Sequence, residues 1–299
     1  MDSQKASGPN GLPALFYKKY WNIVGDSVVK AIINFFESGK MLNELNSTLT
    51  VLIPRIQNPT SDSQYSPISL CNVVYKTIAK LLVTRLRQIL PKLISPCQSA
   101  FIPGRWIAEN KAILHETLHI IKKRKVKDGM MAVKLDLQKV YRVNWKFLKT
   151  LLDKFGFNNT FSKWILECVS SISSTLLTNG QMGGGGMAGS YTLSRGLRQG
   201  DPLSPYLFIL CQDVLSRMIE KEFLEGRFTG IKLNIGGPPL THVMYADDIV
   251  LFSKTSRDAN ILNECLEKYC TWSRQLLNRS KSGIIILKFI QEPRAQAMK

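Results

Sequence analysis

The stretch Val243-Met244-Tyr245-Ala246-Asp247-Asp248-Ile249-Val250-Leu251-Phe252 sets two adjacent carboxylates between two apolar runs. It reads as two short buried strands joined by a turn, with the acids at the turn. The bland alternative is a polar turn, although two-residue hairpins favour Asn-Gly or Asp-Gly there. Like charges a few ångströms apart raise each other's pKa unless a cation lies between them. Mg²⁺ is the plainest such cation.

Working outward, residues 130–137 form another apolar strand, which carries Lys134 and delivers Asp136 at its end. Strand ends are where catalytic acids are commonly placed. Between this strand and the hairpin, apolar periodicity predicts helices over 145–155 and 160–173 and a strand over 175–179. A glycine-rich stretch follows, Gly183 to Gly186. It lacks the G-K-[ST] continuation of a phosphate loop and reads as a flexible insertion. Next comes Ser194-Arg195-Gly196-Leu197-Arg198-Gln199-Gly200-Asp201-Pro202-Leu203-Ser204-Pro205. Its Gly, Arg and Gln offer close backbone approach and planar donors, and an apolar helix then runs to about 222. Beyond the hairpin lie a predicted helix over 258–277, a strand over 284–287 and a patternless end over 291–299.

The first third reads as a helix over 28–38, a strand over 49–55, a polar loop over 57–64 and a basic-surfaced helix over 73–90. A further helix over 107–121 ends in Lys122-Lys123-Arg124-Lys125, which the helix dipole explains as well as a phosphate contact does. The order strand with Asp136, helices, strand, helix, acidic hairpin, helix, strand predicts an α+β fold, an antiparallel sheet with helices on one face. Such a sheet can bring Asp136 to the hairpin tip. Three converging carboxylates are what two Mg²⁺ ions about 3.5 to 4 Å apart require for in-line phosphoryl displacement.

Composition agrees with a polyanionic partner. The 299 residues carry 40 Lys and Arg against 22 Asp and Glu, a formal charge of +18, with 44% hydrophobic residues. That is a globular composition with a field that attracts nucleic acid or acidic surfaces. No run reaches the ~18 apolar residues of a membrane span. The first 13 residues lack a signal-peptide layout, so an intracellular setting without membrane is expected. Six cysteines without a C-x-x-C pair suggest core packing rather than disulfides.

Several ordered motifs together resemble the reverse transcriptases of plant-type LINE (non-LTR) retrotransposons: Tyr245 to Asp248, Ser194 to Pro205, Pro67 to Lys76, Gln98 to Arg105 and Lys134 to Asp136. The resemblance implies a right-hand polymerase, with fingers over 1–128, a palm over 129–288 whose sheet is antiparallel, an unstructured tail over 289–299 and the thumb largely absent. It implies that Asp136, Asp247 and Asp248 hold two Mg²⁺ or Mn²⁺ ions. Tyr141 matches the aromatic under the incoming sugar, Gln199 and Gly200 the motif lining the nucleotide pocket and template, and Lys281 a lysine associated with the leaving pyrophosphate. The implied partners are an RNA template, a DNA primer and deoxynucleoside triphosphates, with endonuclease activity from elsewhere and a nuclear location.

Three departures bear on activity. Ser66 stands where the family usually has a triphosphate-binding arginine, and Arg55 is the nearby residue expected to supply charge. Val140 replaces the usual small residue before Tyr141. One residue is missing after Tyr141, which would rotate a following helix by about 100° unless a loop absorbs it. The alternative within the same fold is therefore a catalytically dead nucleic-acid binder. A different class is raised by His115-Glu116-Thr117-Leu118-His119, an H-E-x-x-H zinc pattern for which His242 is the one further histidine.

Overall fold

A computed structural model describes residues 2–123, 130–138, 141–178, 181–182, 191–233 and 236–286. Its main elements in chain order are α1 (Trp21–Ser38), β1 (Ser47–Pro54), β2 (Tyr65–Cys71), α2 (Val73–Leu93), α3 (Ile107–Lys123), β3 (Met131–Leu135), α4 (Trp145–Lys154), α5 (Asn159–Ser170), β4 (Ser173–Thr178), α6 (Ser204–Leu224), β5 (His242–Tyr245), β6 (Asp248–Ser253), α7 (Ser256–Ser273) and β7 (Gly283–Ile286). By contacts they form two compact units, each built from two stretches of chain. One is Met1–Leu86 with Asn144–Pro205, the other Arg87–Val143 with Tyr206–Lys299. The expectation from the resemblance is a single boundary, after residue 128. The glycine run at 183–186, Val140, Leu287 and the 289–299 tail lie outside the described residues.

In the first unit β1 pairs antiparallel with β2 and parallel with β4. The parallel pair departs from a purely antiparallel expectation; α2, α3, α4 and α5 all fall between β1 and β4, and parallel neighbours need such a long crossover. Strand β2 escapes a sequence reading because Pro67 cannot donate to a ladder. It is tolerated because β2 lies at the edge of the sheet, with β1 as its strand neighbour among the described residues. Helices α4 and α5 pack together, and their Leu148, Leu151, Leu152, Ile165, Cys168 and Val169 are all buried. Both begin on asparagine caps: Asn144 accepts from the Lys146 amide at 2.8 Å and Asn158 from the Phe161 amide at 2.8 Å.

The second unit is built on the antiparallel sheet β5-β6-β3-β7. One cluster of its core joins Met130, Ala132, Ile231, Val243 and Phe252, with Ile113, Leu114 and Leu118 of α3 packed on it. His115 and His119 therefore point to solvent from the exposed side of α3. His242 is fully buried on β5, where its ring nitrogens meet the Ser216 hydroxyl at 2.6 Å and the Thr241 hydroxyl at 2.9 Å. Among the described residues it clusters with Cys97 and Glu220. The packing of α3 thus leaves the two histidines on its exposed side.

Two predicted elements end differently. The helix predicted to reach 277 stops at Ser273, because Arg274 turns left-handed (φ 61°) and its amide closes on the Cys270 carbonyl. Leu276–Leu277 then pairs with Leu137–Gln138. The strand predicted over 130–137 accordingly splits: β3 stays in the main sheet, Leu137–Gln138 joins the smaller ladder, and Asp136 sits at the fork.

Candidate active site

Strands β5 and β6 pair from His242↔Leu251 to Tyr245↔Asp248, which leaves Ala246 and Asp247 as a two-residue turn. Ala246 is left-handed, φ 52°, a conformation that costs an L-residue about 1 to 2 kcal/mol. The hairpin is held from outside. The Gln98 side-chain oxygen accepts from the Ala246 amide at 3.0 Å and from the Ala100 amide at 2.9 Å. Backbone bonds from Met244 to Cys97 (2.8 Å) and from Ser99 to Met244 (3.1 Å) dock the same segment along β5. Asn110 donates to the Met244 carbonyl at 2.7 Å. Gln98 is 1% exposed, so these bonds are sheltered from water.

Asp136 arrives from β3. That strand pairs with β6 through Leu135↔Ile249, so the next residue comes level with Asp248. Asn278 fixes it by donating to its carboxylate at 3.0 Å, while the Asp136 amide donates to the Ser282 hydroxyl at 3.1 Å. Lys281 is exposed in that same turn, its amide bonded to the Asn278 carbonyl. The sheet thus brings Asp136, Asp247 and Asp248 into one electrostatic cluster.

The cluster is short of positive charge. Although Asp247 is exposed by area, its carboxyl is raised above the usual range, first by the protein close around it and then by the charges of Asp248 and Asp136. Lys134 offsets this in part, with Nζ 3.4 Å from the Asp248 carboxylate. Both partners are exposed, so the pair is screened and weak. A set of carboxylate oxygens held together against their own repulsion fits hard divalent cations.

Tyr141 is half-buried with its ring 5.9 Å from that of Phe208. Its phenol is raised by burial and then by the charge of Asp247, which places it within electrostatic reach of the turn. The missing residue falls in the loop Arg142 to Asn144, ahead of the capped start of α4.

The remaining predicted residues belong to the other unit and gather along β2. Arg55 donates from Nε to the Ser66 hydroxyl at 2.6 Å, so a guanidinium stands directly on Ser66. Gln199 accepts from the Ser69 amide through its carbonyl at 2.7 Å. Gly200, at φ 101°, lies so close that a Cβ would come 2.8 Å from the Ser69 carbonyl oxygen. Arg198 turns its planar donors into the protein. It is 3% exposed, stacks 4.0 Å over the Tyr75 ring and donates to the Thr48 hydroxyl at 2.8 Å.

Gln98, Asn278 and Arg105 have no role in a sequence reading, although Gln98 and Arg105 lie inside a motif quoted for the resemblance. What the sequence does show is a glutamine and an arginine bracketing an otherwise apolar loop, which is weak without the fold.

Three comparisons bear on this arrangement. The family pattern described as "Reverse transcriptase (RNA-dependent DNA polymerase)" matches residues 56–294. The transposon TX1 uncharacterized 149 kDa protein of Xenopus laevis is 26% identical over 284 residues, 95% of this chain and 21% of that protein. The Pol polyprotein from the type-1 retrotransposable element R2 of Nasonia vitripennis is 25% identical over 256 residues, 84% of this chain and 22% of that protein. The chain thus spans about a fifth of the length of these relatives. Among solved structures, apo telomerase from Candida tropicalis superposes with a TM-score of 0.54 at 12% identity over 95% of this chain and 59% of that one, a likeness of fold.

Proposed function

The chain belongs to the reverse transcriptase (RNA-dependent DNA polymerase) family, and from that premise we propose that it extends a DNA primer on an RNA template, with Asp136, Asp247 and Asp248 as ligands for two Mg²⁺ or Mn²⁺ ions. The observation that carries this reading is the convergence of three carboxylates at the hairpin tip, where Lys134 is the one cation paired with them among the described residues. When bound, such ions activate the attacking hydroxyl and stabilise the leaving oxygens of an in-line displacement.

The chain's own residues then do the positioning. Gln98 holds the turn so that Asp247 and Asp248 keep a fixed spacing, and Asn278 holds Asp136 against rotation. Tyr141 takes the place under the incoming sugar, where its ring excludes a ribose 2′-hydroxyl. Gln199 and Gly200 line the nucleotide pocket and template, Arg55 binds the triphosphate in place of the arginine missing at 66, and Lys281 neutralises the departing pyrophosphate. The formal +18 supplies the long-range attraction for template and primer. We assign the work to the nucleus on the strength of the family resemblance. No helix among the described residues is long and apolar enough to cross a membrane.

The competing reading, nucleic-acid binding without polymerisation, drew on Ser66 and on the residue missing after Tyr141. The Arg55 contact, which sets a guanidinium on Ser66, weighs against it. Primer extension on an RNA template with deoxynucleotides and Mg²⁺ or Mn²⁺ tests the choice, with Asp247→Asn as the blank. Extension is expected from the parent chain alone. Salt-sensitive binding of primer-template with no extension above the blank selects the competing reading.

A further inference from the structure

Three side chains with metal-binding chemistry meet at the root of the hairpin, all within the unit that carries it. Cys97 follows the end of α2, Glu220 lies on α6 and His242 opens β5, and one ligand atom from each lies within 4.8 Å of the other two. The proposed polymerase chemistry uses none of them. Sulfur, oxygen and nitrogen together suit borderline-soft Zn²⁺, whereas the all-oxygen set at the turn suits hard Mg²⁺. With Zn–S about 2.3 Å and Zn–N and Zn–O about 2.0 to 2.2 Å, tetrahedral ligand atoms lie about 3.3 to 3.8 Å apart. The three atoms therefore have to close by about 1.5 Å at most, a shift within reach of the partly exposed Cys97 and Glu220 side chains.

Each candidate ligand is already oriented by a neighbour. The His242 ring nitrogens meet the Thr241 hydroxyl (Nδ1, 2.9 Å) and the Ser216 hydroxyl (Nε2, 2.6 Å), so whichever nitrogen takes an ion, the other keeps a hydroxyl partner. The Ser95 hydroxyl donates to the Glu220 carboxylate at 2.5 Å. That same hydroxyl accepts from the Cys97 amide at 3.3 Å, and the Cys97 carbonyl accepts from the Met244 amide at 2.8 Å, which fixes the cysteine backbone against β5. Outer partners of this kind aim the ligands, and losing one typically costs about ten- to a hundredfold in metal affinity. His242 is fully buried while Cys97 and Glu220 are only partly so, which leaves an ion a way in.

We propose that Cys97, Glu220 and His242 form a Zn²⁺ site, its fourth position taken by a solvent water, and that the ion clamps the root of the hairpin to α6 and to the segment that carries Gln98. On binding, the Cys97 thiol gives its proton to solvent. The thiolate and the carboxylate then balance the two charges of the ion, and the imidazole stays neutral. Gln98 is the next residue after Cys97 and holds the Ala246 amide, so the clamp bears on the turn that presents the acids. The site goes beyond the polymerase reading and stands independently of it.

The test loads the purified, reduced chain with Zn²⁺, removes the excess by dialysis and measures bound metal. Loading is then repeated with Co²⁺, whose absorption reports thiolate ligation and tetrahedral geometry. One equivalent per chain and a thiolate-to-cobalt charge-transfer band are expected. Zn²⁺ at about a hundred times its dissociation constant should raise the melting temperature by about 5 °C. Cys97→Ala removes the band, and Glu220→Gln weakens Zn²⁺ binding about a hundredfold or more, beyond the loss of an outer partner. Asp247→Asn and His115→Ala keep both the equivalent and the band, which separates this site from the carboxylate turn and from the histidines of α3. Metal-free melting temperatures within a few degrees of the parent certify that the variants are folded. The proposal is overturned by a parent that retains no metal, by an equivalent that survives Cys97→Ala, or by one that is lost with His115→Ala or Asp247→Asn. Primer extension is not read in any arm, so these outcomes leave the polymerase reading to its own test.

Discussion

In the unit that carries β1, β2 and β4, an arginine and an aspartate are shut away from water. Arg198 and Asp201 are 3% and 2% exposed and lie 4.0 Å apart, and Asp201 accepts from the Tyr75 hydroxyl at 3.1 Å, the Ser204 hydroxyl at 2.9 Å and the Leu203 amide at 3.1 Å. In the other unit, Asp247 and Asp248 stand exposed on a strained turn, and Lys134 reaches only one of them. Both groups come from motifs that the resemblance marks together, Ser194 to Pro205 and Tyr245 to Asp248. Their surroundings give them opposite tasks. Charge that is buried and partnered specifies how the chain packs, whereas charge left open and mutually repelling is available to a ligand.

The contrast breaks most directly at Arg198. Replacing it with methionine leaves Asp201 as a buried charge without its cation, which is expected to lower the unfolding free energy by about 3 to 5 kcal/mol. Urea unfolding of the folded fraction reads this. A loss below about 1 kcal/mol would place Arg198 among the surface charges and erase the distinction.

The hairpin itself runs from closed to open, and its root at His242 is tested by acid. Burial pushes that imidazole down to about 4 from an ordinary 6.5, so the unfolded chain takes up the proton first as pH falls. Stability is therefore full above about pH 6.5, declines between 6.5 and 4, and loses about 3 kcal/mol in all. His242→Gln is expected to flatten this limb in urea midpoints compared between pH 7 and 4.5. An unchanged slope would show that other groups drive the acid loss.

Gln98 lies at the junction of the two regimes, buried itself but holding the open turn. Gln98→Ala strips an acceptor from the Ala246 and Ala100 amides, with an expected cost of about 1 to 3 kcal/mol. The metal-dependent rise in melting temperature should shrink with it, since the acids lose their fixed spacing. If stability falls while the Mg²⁺ response keeps its size, Gln98 supports the fold alone.

The smallest change is expected at the tip. Asp247→Asn relieves repulsion in a screened setting, so the metal-free chain should gain about 1 kcal/mol or less. Mg²⁺ or Mn²⁺ should then raise its melting temperature less than that of the parent. Equal metal shifts in both would mean that the three acids share no cation.

Much of this was legible in the chain. Apolar periodicity located the helices and the strands on either side of the acids, because burial of one face leaves its period in the sequence whatever the neighbours are. The juxtaposition of Asp136 with the hairpin followed from the order of elements, and the motifs named the family. What the sequence could not decide were matters of partnership. Pro67 hides β2, since only its place at a sheet edge makes the missing donor harmless. The effect of the residue missing after Tyr141 depended on whether Arg142 to Asn144 would be loop or helix. Arg55 finds Ser66 only because β1 and β2 pair with Ile53 opposite Ser66. Arg198 and Arg87 are the same residue in the sequence, and one is turned into the core while the other stands exposed. Side-chain direction and hydrogen-bond satisfaction depend on residues far apart in the chain, so they exist only once the elements have packed.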